Sequence, residues 1–159
     1  MKKLILMLLF VTGCFSDRVS GPISPLPYFT FPNQTVQVGK AFNYQISLVV
    51  MPHRYNQIKD FTLITKIRDS SDVNVVLNNA KALQGDLTSL LFEVPLDNYF
   101  YIITQVTNIK NFTSGPVLEF NLIIKKKGKY LVDSHGNGVI GTGIPGTEES
   151  VPGFITVIE

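Results

Sequence analysis

The residues able to do chemistry are few and far apart. Cys14 is the only cysteine in the chain, so no internal disulfide can form. His53 and His135 are the only histidines, and neither stands in a metal-ligand spacing. Asp133-Ser134-His135 holds the residue types of a hydrolase triad, but neighbours in an extended segment point to opposite sides and cannot line up in that order. No G-x-S-x-G elbow occurs. Asp133-x-His135-x-Asn137-Gly138 has the start of a calcium loop, with oxygens from Asp133 and Asn137 and a sharp turn at Gly138. His135 replaces an oxygen ligand, however, and the closing position is Ile144 rather than Glu. A turn held by Asp and Asn side chains is the expectation.

Gly136-Asn137-Gly138-Val139-Ile140-Gly141 matches G-x-G-x-x-G, and the residues from Gly141 to Gly146 match it again. A dinucleotide site needs those glycines to open a helix whose N-terminus holds the pyrophosphate. Gly143, Pro145 and Gly146 forbid that helix. Asp69, Asp72, Asp86, Glu93 and Asp97 are dispersed as turn and surface acids. A glycosidase pair formed across strands would be invisible at this level. The sequence therefore predicts no catalytic residue, no metal site and no cofactor, and a chain that is not an enzyme.

Two surface features remain. Tyr99-Phe100-Tyr101 is an aromatic cluster in which Tyr99 and Tyr101 share one face of a strand. Packing in the core or at a sheet edge is the default, and an exposed tyrosine platform for sugar or protein is the sharper alternative. Lys125, Lys126, Lys127 and Lys129 surround Gly128 and read as a solvated strand end, where lysines also keep a sheet edge from pairing. An anionic surface partner is the other reading. Asn33-Gln34-Thr35 and Asn111-Phe112-Thr113 match the glycosylation acceptor pattern, a short motif that by itself assigns no function.

The segment that places the protein is Met1–Cys14. Lys2 and Lys3 precede an unbroken apolar run from Leu4 to Val11. As a helix the run covers roughly 12 Å against a hydrocarbon core of about 30 Å, so it does not span. It reads as the core of an export signal, with its basic head held on the cytoplasmic side. Val11-Thr12-Gly13-Cys14 resembles the lipobox of bacterial lipoproteins: aliphatic, small, Gly or Ala, then Cys. The resemblance implies that the Cys14 sulfur carries diacylglycerol and that the Gly13–Cys14 bond is cleaved. Palmitate or similar chains on Cys14 would then anchor the mature protein, since two or three chains hold stably where one does not. In that family Asp after the lipidated Cys signals inner-membrane retention. Phe15 stands there, which implies the outer membrane in a cell that has one.

Removing residues 1–13 also removes Lys2 and Lys3, which leaves 12 basic residues against 12 acidic ones. A neutral mature chain gives no argument for nucleic acid as a partner. The length fits one domain. With 45% hydrophobic residues, 11 Phe and 6 Tyr, the chain has ample material for a core without disulfides. Phe15–Pro27 holds three prolines, three serines and Gly21, a composition that prevents helix or central strand and suits a tether.

From Tyr28 the pattern has a period of two. In Ala41–Val50, Phe42, Tyr44, Ile46, Leu48 and Val50 alternate with Asn43, Gln45 and Ser47, which predicts a strand with one buried face. Val36 and Val38 alternate before it, with Gly39-Lys40 as the turn between. Phe61–Ile67, Val73–Leu77, Leu90–Val94, Tyr99–Thr107 and Val117–Lys125 are further strands. In the last, Leu118, Phe120, Leu122 and Ile124 share a face. Asn78–Leu91 competes as helix, with Ala80, Leu83, Leu87 and Leu90 at helical spacing, but Gly85 limits it to a short turn near Ala80–Leu83. Tyr130–Glu159 is glycine-rich, with short strands at Tyr130–Val132, Val139-Ile140 and Phe154–Ile158 and a mobile stretch over Gly141–Pro152.

Many short strands with turns between them predict an all-β antiparallel sandwich or barrel. Phe31-Pro32-Asn33-Gln34-Thr35-Val36-Gln37-Val38-Gly39-Lys40-Ala41-Phe42-Asn43-Tyr44 resembles the first two strands of bacterial immunoglobulin-like and cadherin-like modules, which implies an immunoglobulin-like β-sandwich. The Asp-rich calcium motif of cadherin-like modules is missing, so calcium binding is not implied. The expected organisation is a lipoprotein signal peptide over 1–13, a lipidated N-terminus and flexible tether over 14–27, and a β-sandwich domain with a Gly-rich C-terminal extension over 28–159. The expected function is a lipid-anchored, non-catalytic binding or structural module of the bacterial cell envelope, with a protein or glycan partner. The alternatives are an envelope hydrolase using loop carboxylates and a carrier of a small apolar ligand.

Overall fold

Period-two patterning turns directly into strands. In a computed structural model, β3 (Ala41–Val49) buries Tyr44, Ile46 and Leu48 and leaves Asn43 and Gln45 outside. β8 (Gly115–Ile124) buries Leu118, Phe120, Leu122 and Ile124. β4 (Phe61–Arg68) buries Phe61, Leu63, Thr65 and Ile67, and β7 (Tyr99–Thr107) buries Phe100, Ile102, Thr104 and Val106. The other strands are β1 (Tyr28–Thr30), β2 (Gln34–Gln37), β5 (Val75–Ala82), β6 (Asp86–Leu96), β9 (Gly128–Ser134), β10 (Val139–Ile140) and β11 (Gly153–Ile158). A 3-10 segment, Pro52–Gln57, links β3 to β4.

The structure describes residues 27–68, 74–96, 98–135, 139–140 and 150–159. The expected signal peptide with Gly13, Cys14, the expected tether to residue 26, Asp69, Asp72, Asp97, Gly136 to Gly138 and residues 141–149 lie outside the described residues. Among the described residues, no helix is long and apolar enough to cross a membrane.

The strands form two sheets. A four-stranded sheet has the order β1-β3-β8-β5, and a seven-stranded sheet has the order β2-β11-β9-β4-β7-β6, with β10 paired to β4. Their inner faces meet in one core. Phe29 of the first sheet packs edge-on against Phe61 of the second, ring centres 5.5 Å apart. Tyr44 is fully buried there, and its hydroxyl donates to the Pro32 carbonyl at 2.7 Å. Burial pushes its phenol well above the usual range. The fold is all-β, an immunoglobulin-like sandwich.

The N-terminal strand serves both sheets. β1 pairs antiparallel with β3. The chain then crosses at Phe31-Pro32-Asn33, and β2 pairs with β11, parallel, from Gln34↔Ile155 to Gln37↔Ile158. The crossing is tied to the C-terminal segment by Phe31 N–H to Val151 O at 3.0 Å, Val151 N–H to Phe29 O at 2.9 Å, and Phe154 N–H to Asn33 Oδ1 at 3.0 Å. The approach is so close that a Cβ on Gly153 would strike the Phe31 carbonyl oxygen, which explains glycine there. β11 thus completes the seven-stranded sheet. Of the stretch expected to be mobile, Ser150 to Pro152 is described, and Val151 is held by these bonds; 141–149 lie outside.

The expected turn at Gly39-Lys40 is present, with Gly39 at φ +71°, and it carries the chain from β2 in one sheet to β3 in the other. One sequence expectation is corrected. The helical turn near Ala80–Leu83 is absent: β5 runs as strand to Ala82, and β6 starts at Asp86. The cause is a pair of β-bulges, between Leu77 and Asn79 and between Leu87 and Ser89. Each bulge adds one residue to a period of two, and the resulting step of three between Leu87 and Leu90 imitates helical spacing. Both leucines pack on the core as strand residues.

Candidate functional site

Strand alternation leaves β4 and β7 with an outer face as well as an inner one. Thr62, Ile64, Lys66 and Arg68 project outward from β4, and Tyr99, Tyr101, Ile103 and Gln105 from β7. Register sets their neighbours. Lys66 is opposite Tyr101 on one side and Asp133 of β9 on the other. Ile64 is opposite Ile103, which is opposite Leu91 of β6. Leu91 is 57% exposed, the most exposed large apolar side chain among the described residues. His135 is exposed just past β9, tied by its backbone N–H to Ile64 O at 2.8 Å.

These side chains form a connected surface. The rings of Tyr99 and Tyr101 lie 6.1 Å apart, tilted by 45°. The His135 ring stands edge-on to Tyr101 at 5.4 Å. Lys66 Nζ is 5.8 Å from the centre of the Tyr99 ring and 3.7 Å from Asp133 Oδ2. Asp133 also accepts from the Ser134 backbone N–H at 2.8 Å and contacts the Ser150 hydroxyl, which is 2.9 Å from the Ser134 hydroxyl. Rigid aromatic side chains thus stand beside a cation, an anion and exposed aliphatic surface. The surface offers area and orientation, not a nucleophile with its base.

The sequence candidates fall as follows. Tyr99 and Tyr101 share the outer face, where both are half-buried, while Phe100 between them enters the core. Asp133 and His135 face outward and Ser134 is buried, which separates the triad types as strand geometry requires. Among the described residues, no three of His, Cys, Asp and Glu gather in a way that could hold a metal. Lys127 pairs with Glu159, and Lys129 Nζ lies 4.1 Å from the centre of the Phe154 ring, so the lysine cluster is a surface turn with its own partners. Asp86 is bonded to Asn108 Nδ2 at 2.9 Å. Cys14 and Gly13 lie outside the described residues, as do Asp69, Asp72, Asp97 and the Glu93 side chain.

Sequence reasoning did not find the contacts of Tyr101 with His135 or of Lys66 with Asp133. No pattern within one strand signals them, because β4 lies between β7 and β9 only in the folded sheet.

No family model and no curated protein matches the sequence. Solved structures share the fold. A cohesin module from a family 33 glycoside hydrolase of Clostridium perfringens is similar with a TM-score of 0.62 at 12% identity, covering 84% of this chain and 97% of that one. The sixth cohesin of scaffoldin B from Acetivibrio cellulolyticus, solved in complex with a dockerin, gives 0.61 at 11% identity, covering 84% and 99%. A non-cellulosomal cohesin from the archaeon Archaeoglobus fulgidus gives 0.54 at 11%, covering 84% and 92%. At these identities the likeness is one of fold.

Proposed function

We propose that this chain is a non-catalytic, protein-binding module, anchored by lipid on Cys14 at the bacterial cell envelope, and that it holds its partner on the outer face of β9, β4, β7 and β6. One observation carries the binding reading: Tyr99, Tyr101 and His135 form a run of touching rings on an open sheet face, flanked by Lys66, Asp133 and exposed Leu91. The fold lends support, since cohesin modules from Clostridium thermocellum and Acetivibrio cellulolyticus occur in complexes with dockerins. The lipobox resemblance of Val11-Thr12-Gly13-Cys14 supports the anchor, and Phe15 after it favours the outer membrane where a cell has two.

Two measurements test the proposal. Labelled palmitate fed to cells enters the wild-type chain and not Cys14→Ser; equal labelling of both refutes the anchor. Chemical cross-linking in intact cells captures a protein with the wild type. Tyr101→Ala removes a central aromatic anchor, and the expected loss is about 2–4 kcal/mol, roughly 30- to 1,000-fold in affinity. An undiminished cross-link in Tyr99→Ala and Tyr101→Ala refutes the face.

A further inference from the structure

The opposite side of the sandwich has a second organised surface. On the outer face of the four-stranded sheet, Asn43 of β3 is opposite Asn121 of β8, which is opposite Asn79 of β5. Two residues along, Gln45 is opposite Glu119, which is opposite Lys81. Three adjacent strands therefore present two rows of three polar side chains, a patch of about 10 Å by 7 Å from strand spacing and rise. Five of the six, Asn43, Asn79, Lys81, Glu119 and Asn121, line a shallow depression of about 310 Å³. That lies at the lower end of the roughly 300–1,000 Å³ of small-ligand sites.

Hydrogen bonds lock the rows. Asn78 Nδ2, at the β5 bulge, donates to Asn121 Oδ1 at 2.9 Å, and Asn121 Nδ2 donates to Asn43 Oδ1 at 2.7 Å. Gln45 Nε2 donates to Glu119 Oε2 at 2.7 Å, and Lys81 Nζ lies 2.8 Å from Glu119 Oε1. Glu119 is only 8% exposed although it faces away from the core, because its neighbours close over it. Lys81 above all, and Gln45 after it, hold its carboxyl below the usual range, so it is an anion paired with a cation. A face that served only solubility would carry charged side chains reaching freely into water. Here the Asn43, Asn121 and Gln45 amides are held by side-chain hydrogen bonds, and Asn79 accepts from the Ala80 backbone N–H, which lowers the rotamer cost of binding.

We infer that this array is a binding site for a neutral saccharide. Vicinal hydroxyls both donate and accept, and the rows supply both roles in fixed positions: the Lys81 ammonium and the Asn43 and Asn79 amide N–H groups as donors, amide and carboxylate oxygens as acceptors. The array is electrically neutral, with Glu119 balanced by Lys81, so nothing in it recruits a polyanion. It holds no aromatic or arginine anchor of the kind that dominates protein interfaces. The site is independent of the tyrosine face, which lies on the other sheet.

The test is nuclear magnetic resonance of the isotope-labelled full-length chain, following side-chain amide signals during titration with cellotetraose, chitotetraose and, as an anionic comparison, tetragalacturonate. Shifts of the Asn43, Asn79 and Asn121 amide signals with a neutral sugar, weakened about tenfold or more in Asn121→Ala and in Asn43→Ala and unchanged in Tyr101→Ala, are expected. No shift with either neutral sugar up to about 10 mM overturns the site. So does binding confined to tetragalacturonate, or binding that Asn121→Ala and Asn43→Ala both leave intact. Two single substitutions on different strands guard against a variant that fails to fold, and the backbone spectrum reports folding in each.

Discussion

Thr65 is the residue whose substitution tests the packing most directly. It lies on the inner face of β4, fully buried, and its hydroxyl has no hydrogen-bond partner among the described residues. An unsatisfied buried hydroxyl costs about 1–3 kcal/mol. Thr65→Val keeps the branched shape, exchanges the hydroxyl for a methyl and suits a strand at least as well. The gain expected is about 1–2 kcal/mol, which raises the melting temperature by roughly 3–8 °C for a domain of this size. Thr104 supplies the control. It is equally buried on β7, but its hydroxyl donates to the Leu63 carbonyl at 3.2 Å. Thr104→Val forfeits that bond and is expected to be neutral or to lose up to about 1 kcal/mol. Urea and thermal unfolding followed by circular dichroism measure both variants. A Thr65→Val protein destabilised by about 1 kcal/mol or more, or one that behaves like Thr104→Val, refutes the reasoning, because it would mean the hydroxyl is satisfied.

Gly85 has φ +78°, and an added Cβ would run into the Thr107 carbonyl oxygen and lie 2.8 Å from Ile109 Cγ1, whereas Gly39 has φ +71° with open space around it. Gly85→Ala is expected to cost about 2–4 kcal/mol and Gly39→Ala about 1 kcal/mol in urea unfolding; equal losses would show that the clash relaxes. Glu119 has a folded pKa lowered from 4.5, chiefly by Lys81. Its contribution is complete above the unfolded pKa, and it is lost as pH falls through the lower folded value. The stability gap between wild type and Lys81→Met is therefore expected at neutral pH and should close under acid, and a gap of full size at about pH 2 would contradict it.

The long alternating runs were legible because nothing interrupts their period. The alternation marks β7 at Tyr99–Thr107, where it lies, and marks β3, β4 and β8 to within two residues at either end. β5 and β6 were harder because of their bulges: Asn78 and Thr88 each shift the phase, so local periodicity points to the wrong element. The crossing at Pro32 was hidden for a different reason. The sequence from Phe31 to Tyr44 reads as two consecutive strands in either arrangement, and only the distant partners Ile155 and Phe120 decide which sheet each joins. The tyrosine pair could be seen as a shared face, but its outward direction depends on Phe100 taking the core position. The amide rows needed the registers of three strands at once. Asn43 and Gln45 were legible as the polar side of β3, while their partners Asn121 and Glu119 lie more than seventy residues away.

Because β2 and β11 run side by side in the same direction, the polypeptide enters the sandwich at one pole and leaves at the other. Tyr28 and Gln37 are nine residues apart, a stretch of about 30 Å at strand rise. Glu159 therefore points away from the end at which Pro27 arrives. A segment fused after Glu159 would be displayed at the far end from Pro27.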